Sequence, residues 1–157
     1  MADIAQEFTP NWEQYANQAQ TYLNRPVFKG TPITGQLLAN SAKQTYMSTG
    51  QYIPVELALA QAQKETSMGL KGRNPTTNPY NVYEFDSGTK HRFNALPEGI
   101  SAYFNLLATD YMPNKGMEGL MKQFTNKKGA RYASDPQYES YLQAQIPYIQ
   151  KFFKRGK

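Results

Sequence analysis

The sequence predicts a single, predominantly helical α+β domain carrying one small β-hairpin lobe. Apolar residues recur at helical spacing in six segments, while the stretch 81–93 surrounds an Asp86-Ser87-Gly88 turn with aromatic and β-branched residues. No internal repeat, low-complexity tract or long linker divides the 157 residues. A domain of that size buries roughly 70% of the surface of its unfolded chain, enough for a core without cross-links.

Residues 1–10 read as a loose arm. Over 11–23, Trp12, Tyr15, Ala19, Tyr22 and Leu23 share one helical face, and Arg25-Pro26 and Lys29-Gly30-Thr31-Pro32 then break the chain. A second helix is expected over 33–48, with Leu37, Leu38, Ala42, Thr45 and Tyr46 on one face and Gly50 closing it. The third, 54–66, opens on Pro54, whose missing N–H costs nothing in a first turn, with Glu56 complementing the helix dipole. Its small apolar residues Val55, Ala58, Leu59 and Ala62 suit close packing by neighbours. Residues 69–81, rich in Gly, Pro, Asn and Thr, are loop. In the predicted hairpin that follows, Gly88 supplies a positive φ. Helical spacing returns over 97–111 (Ile100, Tyr103, Phe104, Leu107, Tyr111), 116–124 (Leu120, Met121, Phe124) and about 137–153, with Asp135 as N-cap and Pro136 at the first position of the last helix.

The composition excludes several chemistries. There are no cysteines, so no disulfide framework, thiolate metal site or cysteine nucleophile. His91 is the single histidine, which alone makes no typical zinc site, and no phosphate-binding loop, dinucleotide fingerprint or calcium loop is present. No metal or cofactor is expected. The net charge of +5 favours an anionic partner, with Lys122, Lys127, Lys128 and Arg131 in one group and Lys151, Lys154, Arg155 and Lys157 in another. No nucleic-acid motif accompanies it, so nucleic acid is not the expected partner. No run approaches the roughly 18 apolar residues of a membrane span, and Met1-Ala-Asp-Ile-Ala-Gln-Glu-Phe8 lacks the features of a signal peptide.

Glu65 is the residue most suited to acid chemistry. It stands at the C-terminal end of the 54–66 helix, on the face of Leu57, Ala58 and Gln61. Desolvation there disfavours the carboxylate, and the negative end of the helix dipole acts in the same direction. A carboxyl that keeps its proton at neutral pH can serve as a general acid.

The residues around it form an ordered set: Ala60-Gln-Ala-Gln-Lys-Glu-Thr-Ser-Met-Gly69, then Asn78-Pro-Tyr-Asn-Val82, then Gly129-Ala-Arg-Tyr-Ala-Ser-Asp-Pro-Gln-Tyr138. Over roughly 50–150 this resembles the bacterial and phage glucosaminidases of glycoside hydrolase family 73, in the lysozyme superfamily. The matching elements are a helix ending Ala-Gln-Ala-x-x-Glu, an Asn-Pro-aromatic-Asn segment before a small β-lobe, and a Tyr-Ala-Ser-Asp-Pro-x-Tyr run opening the last helix. The resemblance implies a lysozyme-like fold with a sugar groove, Glu65 as acid and Tyr132 lining the site. It implies a catalytic domain over 31–157, with 1–30 as an arm and helix packed on it. Family members usually follow the glutamate with Ser-Gly-aromatic-Gly, whereas this chain has Thr66-Ser67-Met68-Gly69. That stretch borders the sugar sites, so the bond cleaved stays open among glucosaminidase, muramidase and lytic transglycosylase.

A second carboxylate is expected from the hairpin. Glu84 is the candidate, because Asp86 is explained as a turn residue; alternatively the substrate's own acetamido group takes that role. Sugar faces stack on aromatics while their hydroxyls bond to amides. Thr66, Asn78, Tyr80, Asn81, Tyr83 and Tyr132 are accordingly the expected substrate-binding residues, whereas Tyr46, Tyr103 and Tyr148 on helical faces read as packing. The expected activity is cleavage of a β-1,4 bond in the peptidoglycan backbone by a monomer. Without a signal peptide, a phage virion or a host cytoplasm with separate delivery to the envelope fits best. A virion or flagellar protein that keeps the fold and only binds glycan is the alternative.

Overall fold

The computed structural model describes residues 9–71, 76–83, 92–113 and 115–155. Among these, six α-helices follow one another: α1 (Trp12–Leu23), α2 (Gly35–Thr49), α3 (Val55–Thr66), α4 (Leu96–Leu106), α5 (Gly116–Lys122) and α6 (Tyr138–Arg155). A 3₁₀ turn, Pro26–Phe28, follows α1. Helix α4 runs on into a π turn, Leu107–Tyr111, closed by Met112 N–H on Leu107 O at 2.7 Å.

The helix starts follow their capping residues. Asn11 Oδ1 accepts Gln14 N–H at 2.9 Å, and Thr34 Oγ1 accepts Leu37 N–H at 3.1 Å, each covering a donor that no earlier turn can satisfy. Gly50 ends α2 at φ 79°, where a side chain is disfavoured. Pro54 lies one place ahead of its expected position, as the residue before α3 rather than inside its first turn.

Helix α3 forms the centre. Val55, Leu57, Ala58, Leu59, Ala60, Gln61, Ala62 and Thr66 are all buried, and α1 and α6 pack against it. Small side chains permit that approach, as expected. Helix α2 packs on α1 and α4, and a Cβ at Gly35 would stand 2.1 Å from Ala16 O, so this crossing requires glycine. Arg25 lies over the rings of Tyr22, Phe28, Tyr148 and Phe152, joining the end of α1 to α6. Phe152 and Phe153 are partly buried against the core, consistent with a packed C-terminal helix end. Among the described residues, no helix is long and apolar enough to cross a membrane.

The hairpin expected over 81–93 finds no support. No strand forms among the described residues; their one β-pairing is an isolated antiparallel bridge, Thr125 with Arg131. The first flank, which should have been extended, is a turn with φ 52° at Asn81 and 63° at Tyr83. Left-handed residues cannot carry a pleated strand. Residues 84–91, including Glu84, the Asp86-Ser87-Gly88 turn and His91, lie outside the described residues.

Candidate active site

Helix α3 ends in three consecutive left-handed residues, Ser67 (φ 51°), Met68 (φ 61°) and Gly69 (φ 80°). Ser67 N–H bonds Gln63 O and Met68 N–H reaches back to Ala62 O, so the reversal satisfies the last carbonyls of the helix. Each non-glycine residue in this conformation costs on the order of 1–2 kcal/mol. Met68 offsets that cost by complete burial, and Thr31 Oγ1 holds its carbonyl at 2.5 Å. Thr66 is buried inside the reversal; its hydroxyl accepts Gly69 N–H and donates to Pro79 O, both at 2.8 Å. This ties the end of α3 to the 76–83 loop and fixes where Glu65 projects.

The loop is braced from both sides. Asn78 is buried, with its Nδ2 on Val82 O at 2.9 Å and its Oδ1 accepting Val82 N–H at 3.0 Å, which folds 78–82 into a closed turn. Tyr80 is fully buried, donates to Ala58 O at 2.9 Å and stacks on Tyr103 with ring centroids 3.6 Å apart. A Cβ on Gly99 would stand 1.7 Å from Thr77 O, so the first turn of α4 lies directly against the loop backbone. This bracing delivers Asn81, whose Nδ2 donates to Glu65 Oε1 at 2.8 Å and lies 3.3 Å from Glu65 O.

Glu65 itself is half-buried on the face expected for it, with Leu57, Ala58 and Gln61 completely buried along the same side. Tyrosines surround its carboxyl. Burial pushes the hydroxyls of Tyr103, Tyr132 and Tyr138 well above the ordinary tyrosine range, and the Glu65 charge adds to the effect at all three. They are therefore neutral at neutral pH and keep their hydroxyl protons. Lys64 turns away, to Asp135 Oδ2 at 3.2 Å and over the Tyr141 ring, so it is not the partner of its neighbour Glu65.

The segment between α5 and α6 closes the site. Glu139 receives a bidentate contact from Arg131, Nη1 to Oε2 and Nη2 to Oε1, both at 2.8 Å, and its Oε2 also accepts Phe124 N–H at 2.8 Å. The Arg131 guanidinium, with the Phe124 N–H, holds the Glu139 carboxyl down at about 2 against the cost of its burial. Arg131 also donates to Ala133 O and Asp135 O, both at 3.0 Å, so one guanidinium shapes 131–135. Tyr132 is thereby turned inward, with its hydroxyl on Tyr80 O at 2.7 Å and its ring stacked on Tyr138. Asp135 makes the side-chain bond expected of a cap, one turn ahead of the first helical residue. Its Oδ1 accepts Gln137 N–H at 2.8 Å in a turn that precedes the helix, because Pro136-Gln137 intervene before Tyr138.

The structure thus brings Glu65, Thr66, Asn81 and Tyr132 together, and it places Asn78 and Tyr80 beside them as internal braces whose polar atoms engage backbone. Tyr83 stands at the edge of the same loop, 47% exposed. Three residues of the cluster escaped the sequence reading of roles. Tyr103 hydroxyl donates to Gln61 Oε1 at 2.5 Å, and Gln61 Nε2 donates to Tyr138 hydroxyl at 2.9 Å. Gln61 could have been noticed as a polar residue one turn before Glu65 in a run of small apolar ones, and Tyr138 as the last residue of its motif. Among the described residues, no group of three or more His, Asp or Glu side chains is disposed to hold a metal. The chain matches no protein-family model and no curated protein.

Proposed function

We propose that the chain is a peptidoglycan hydrolase that cleaves a β-1,4 glycosidic bond of the N-acetylglucosamine/N-acetylmuramic acid backbone, with Glu65 as general acid in a lysozyme-like site. The observation that carries this reading is the setting of Glu65. It is a half-buried carboxyl at a helix end, aimed by Asn81 and walled by three neutral tyrosines. Around it lie all the non-glycine residues of the described chain with positive φ: Ser67, Met68, Asn81 and Tyr83. Backbone strain concentrated at one carboxyl fits a site selected for geometry rather than stability.

In this mechanism the Glu65 proton passes to the glycosidic oxygen as the C1–O bond breaks, leaving an oxocarbenium-like sugar and a Glu65 carboxylate. Glu84 or the substrate's acetamido oxygen stabilises the cation. The Glu65 carboxylate then removes a proton from water as its oxygen adds to C1, which restores the acid. Glu65→Gln is expected to fold normally and lose turnover by several orders of magnitude, measured as clearing of purified cell walls. Near-wild-type clearing would exclude the reading. Mass spectrometry of the fragments then fixes the bond: reducing N-acetylglucosamine ends mark a glucosaminidase, reducing N-acetylmuramic ends a muramidase, and 1,6-anhydro ends a lytic transglycosylase.

A further inference from the structure

Helices α3, α4 and α6 each contribute one member of a buried hydrogen-bonded chain that runs toward Glu65. Tyr103 on α4, Gln61 on α3 and Tyr138 on α6 are each 0–1% exposed. Gln61 lies one turn before Glu65 on the same face of α3 and holds the Tyr138 hydroxyl at 2.9 Å, within electrostatic reach of the Glu65 carboxyl. The polarity of the chain follows from its members. Gln61 Oε1 can only accept and receives the Tyr103 proton at 2.5 Å; its Nε2 can only donate and gives to the Tyr138 oxygen. The Tyr138 hydroxyl, already accepting from Gln61, has its one proton to give.

We infer that Tyr138 is a positioning residue that donates its hydroxyl proton to the Glu65 carboxylate and, together with Asn81, fixes both the direction of that carboxyl and its affinity for a proton. Two donors on an ionised carboxylate stabilise it over the protonated acid. They work against desolvation and favour the carboxylate that forms as the proton leaves. The elevated proton affinity of Tyr138, caused by burial and then by the Glu65 charge and hydrogen bond, agrees with this arrangement. Among the described residues, the groups facing Glu65 include Tyr138 from α6, Tyr103 from α4, Tyr132 from the segment before α6 and Asn81 from the 76–83 loop, with Lys64 diverted to Asp135.

The importance of this chain for turnover rests on the reading of Glu65 as the acid; its existence does not. Carboxyl ¹³C NMR titration of the whole protein, without substrate, tests it directly. In Tyr138→Phe the Glu65 midpoint rises, because a donor to the charged form is gone. In the wild type the Tyr138 Cζ resonance shows an inflection at the Glu65 midpoint, and Glu65→Gln abolishes it. That second measurement decides the matter even if Tyr138→Phe does not fold. On cell walls, Tyr138→Phe shows on the order of a tenfold lower kcat with KM unchanged, and the alkaline limb of its pH–rate profile moves upward. An unmoved Glu65 midpoint in folded Tyr138→Phe, or a Tyr138 resonance blind to Glu65, overturns the inference, because a purely structural tyrosine would alter stability alone. Full activity of Glu65→Gln would instead sink the proposed reaction and leave these titrations standing.

Discussion

Tyr83 carries an unusual combination, an aromatic side chain on left-handed backbone (φ 63°) with nearly half of its surface exposed. Met68 has the same backbone problem but is completely buried, so packing accounts for it. Tyr83 is far less buried, and under the proposed function its ring is offered to substrate as a platform at the loop edge. A stacking platform at the loop edge contacts a sugar equally in the ground and transition states. Its removal therefore weakens binding without slowing chemistry. Tyr83→Ala is expected to raise the apparent KM for purified walls roughly fivefold, the equivalent of about 1 kcal/mol of stacking, at unchanged kcat. Initial rates over a range of wall concentrations would show it, and an unaltered KM would remove Tyr83 from the proposed sugar site. Asn81 shares the strained loop but spends its amide on Glu65. Its left-handed φ is explained by where that amide must point.

At the scale of elements, the same loop is set by its contact with α4. Gly99 stands where a Cβ would come within 1.7 Å of Thr77 O and 2.9 Å of Thr77 C, both backbone atoms that cannot rotate away. Gly99→Ala should push the 76–83 loop outward, taking Asn81 off Glu65, and cost about 1–3 kcal/mol in stability. A displacement near 1 Å at the reacting groups costs about 100-fold in rate. Gly35→Ala is the control, since its Cβ would meet Ala16 O at 2.1 Å in the α1–α2 crossing. Both variants are expected to melt earlier, but only Gly99→Ala should lose rate per folded molecule. The helices themselves were legible in the sequence because each buries one periodic face, and their ends fell within about two residues of expectation where Asn11, Thr34 and Gly50 supply local signals. The strand expected from Val82 and Tyr83 was not legible. Their β-favouring side chains say nothing about the clamp that Asn78 places on Val82, and that tertiary contact overrides propensity.

Across the whole molecule, the site is a meeting of α3, the 76–83 loop, α4 and the segment that opens α6, and legibility falls with the distance over which contacts must be foreseen. The placement of Glu65 on an apolar helical face was readable because it is a local fact. The Tyr103–Gln61–Tyr138 chain spans three helices, and no spacing within one segment announces it. The same holds for Glu139, which the sequence offers as one more charge in a first turn and the structure makes the tie between α6, Phe124 and Arg131. Its acidity links the closure of the site to pH. The folded carboxyl titrates at about 2 rather than at its ordinary value of 4.5, so ionised Glu139 favours the folded state. That contribution is fully present above about 4.5 and is lost as pH falls through about 2. Glu139→Gln keeps an acceptor for Phe124 N–H but removes the charge opposite Arg131, and is expected to cost about 2 kcal/mol at neutral pH. Denaturant unfolding at a series of pH values separates this from simple loss of packing. The gap between wild type and Glu139→Gln should stay constant from neutral pH down to about 4.5 and then narrow toward pH 2. A gap that persists at low pH would mean that Arg131 and Glu139 stabilise the fold by shape rather than by charge.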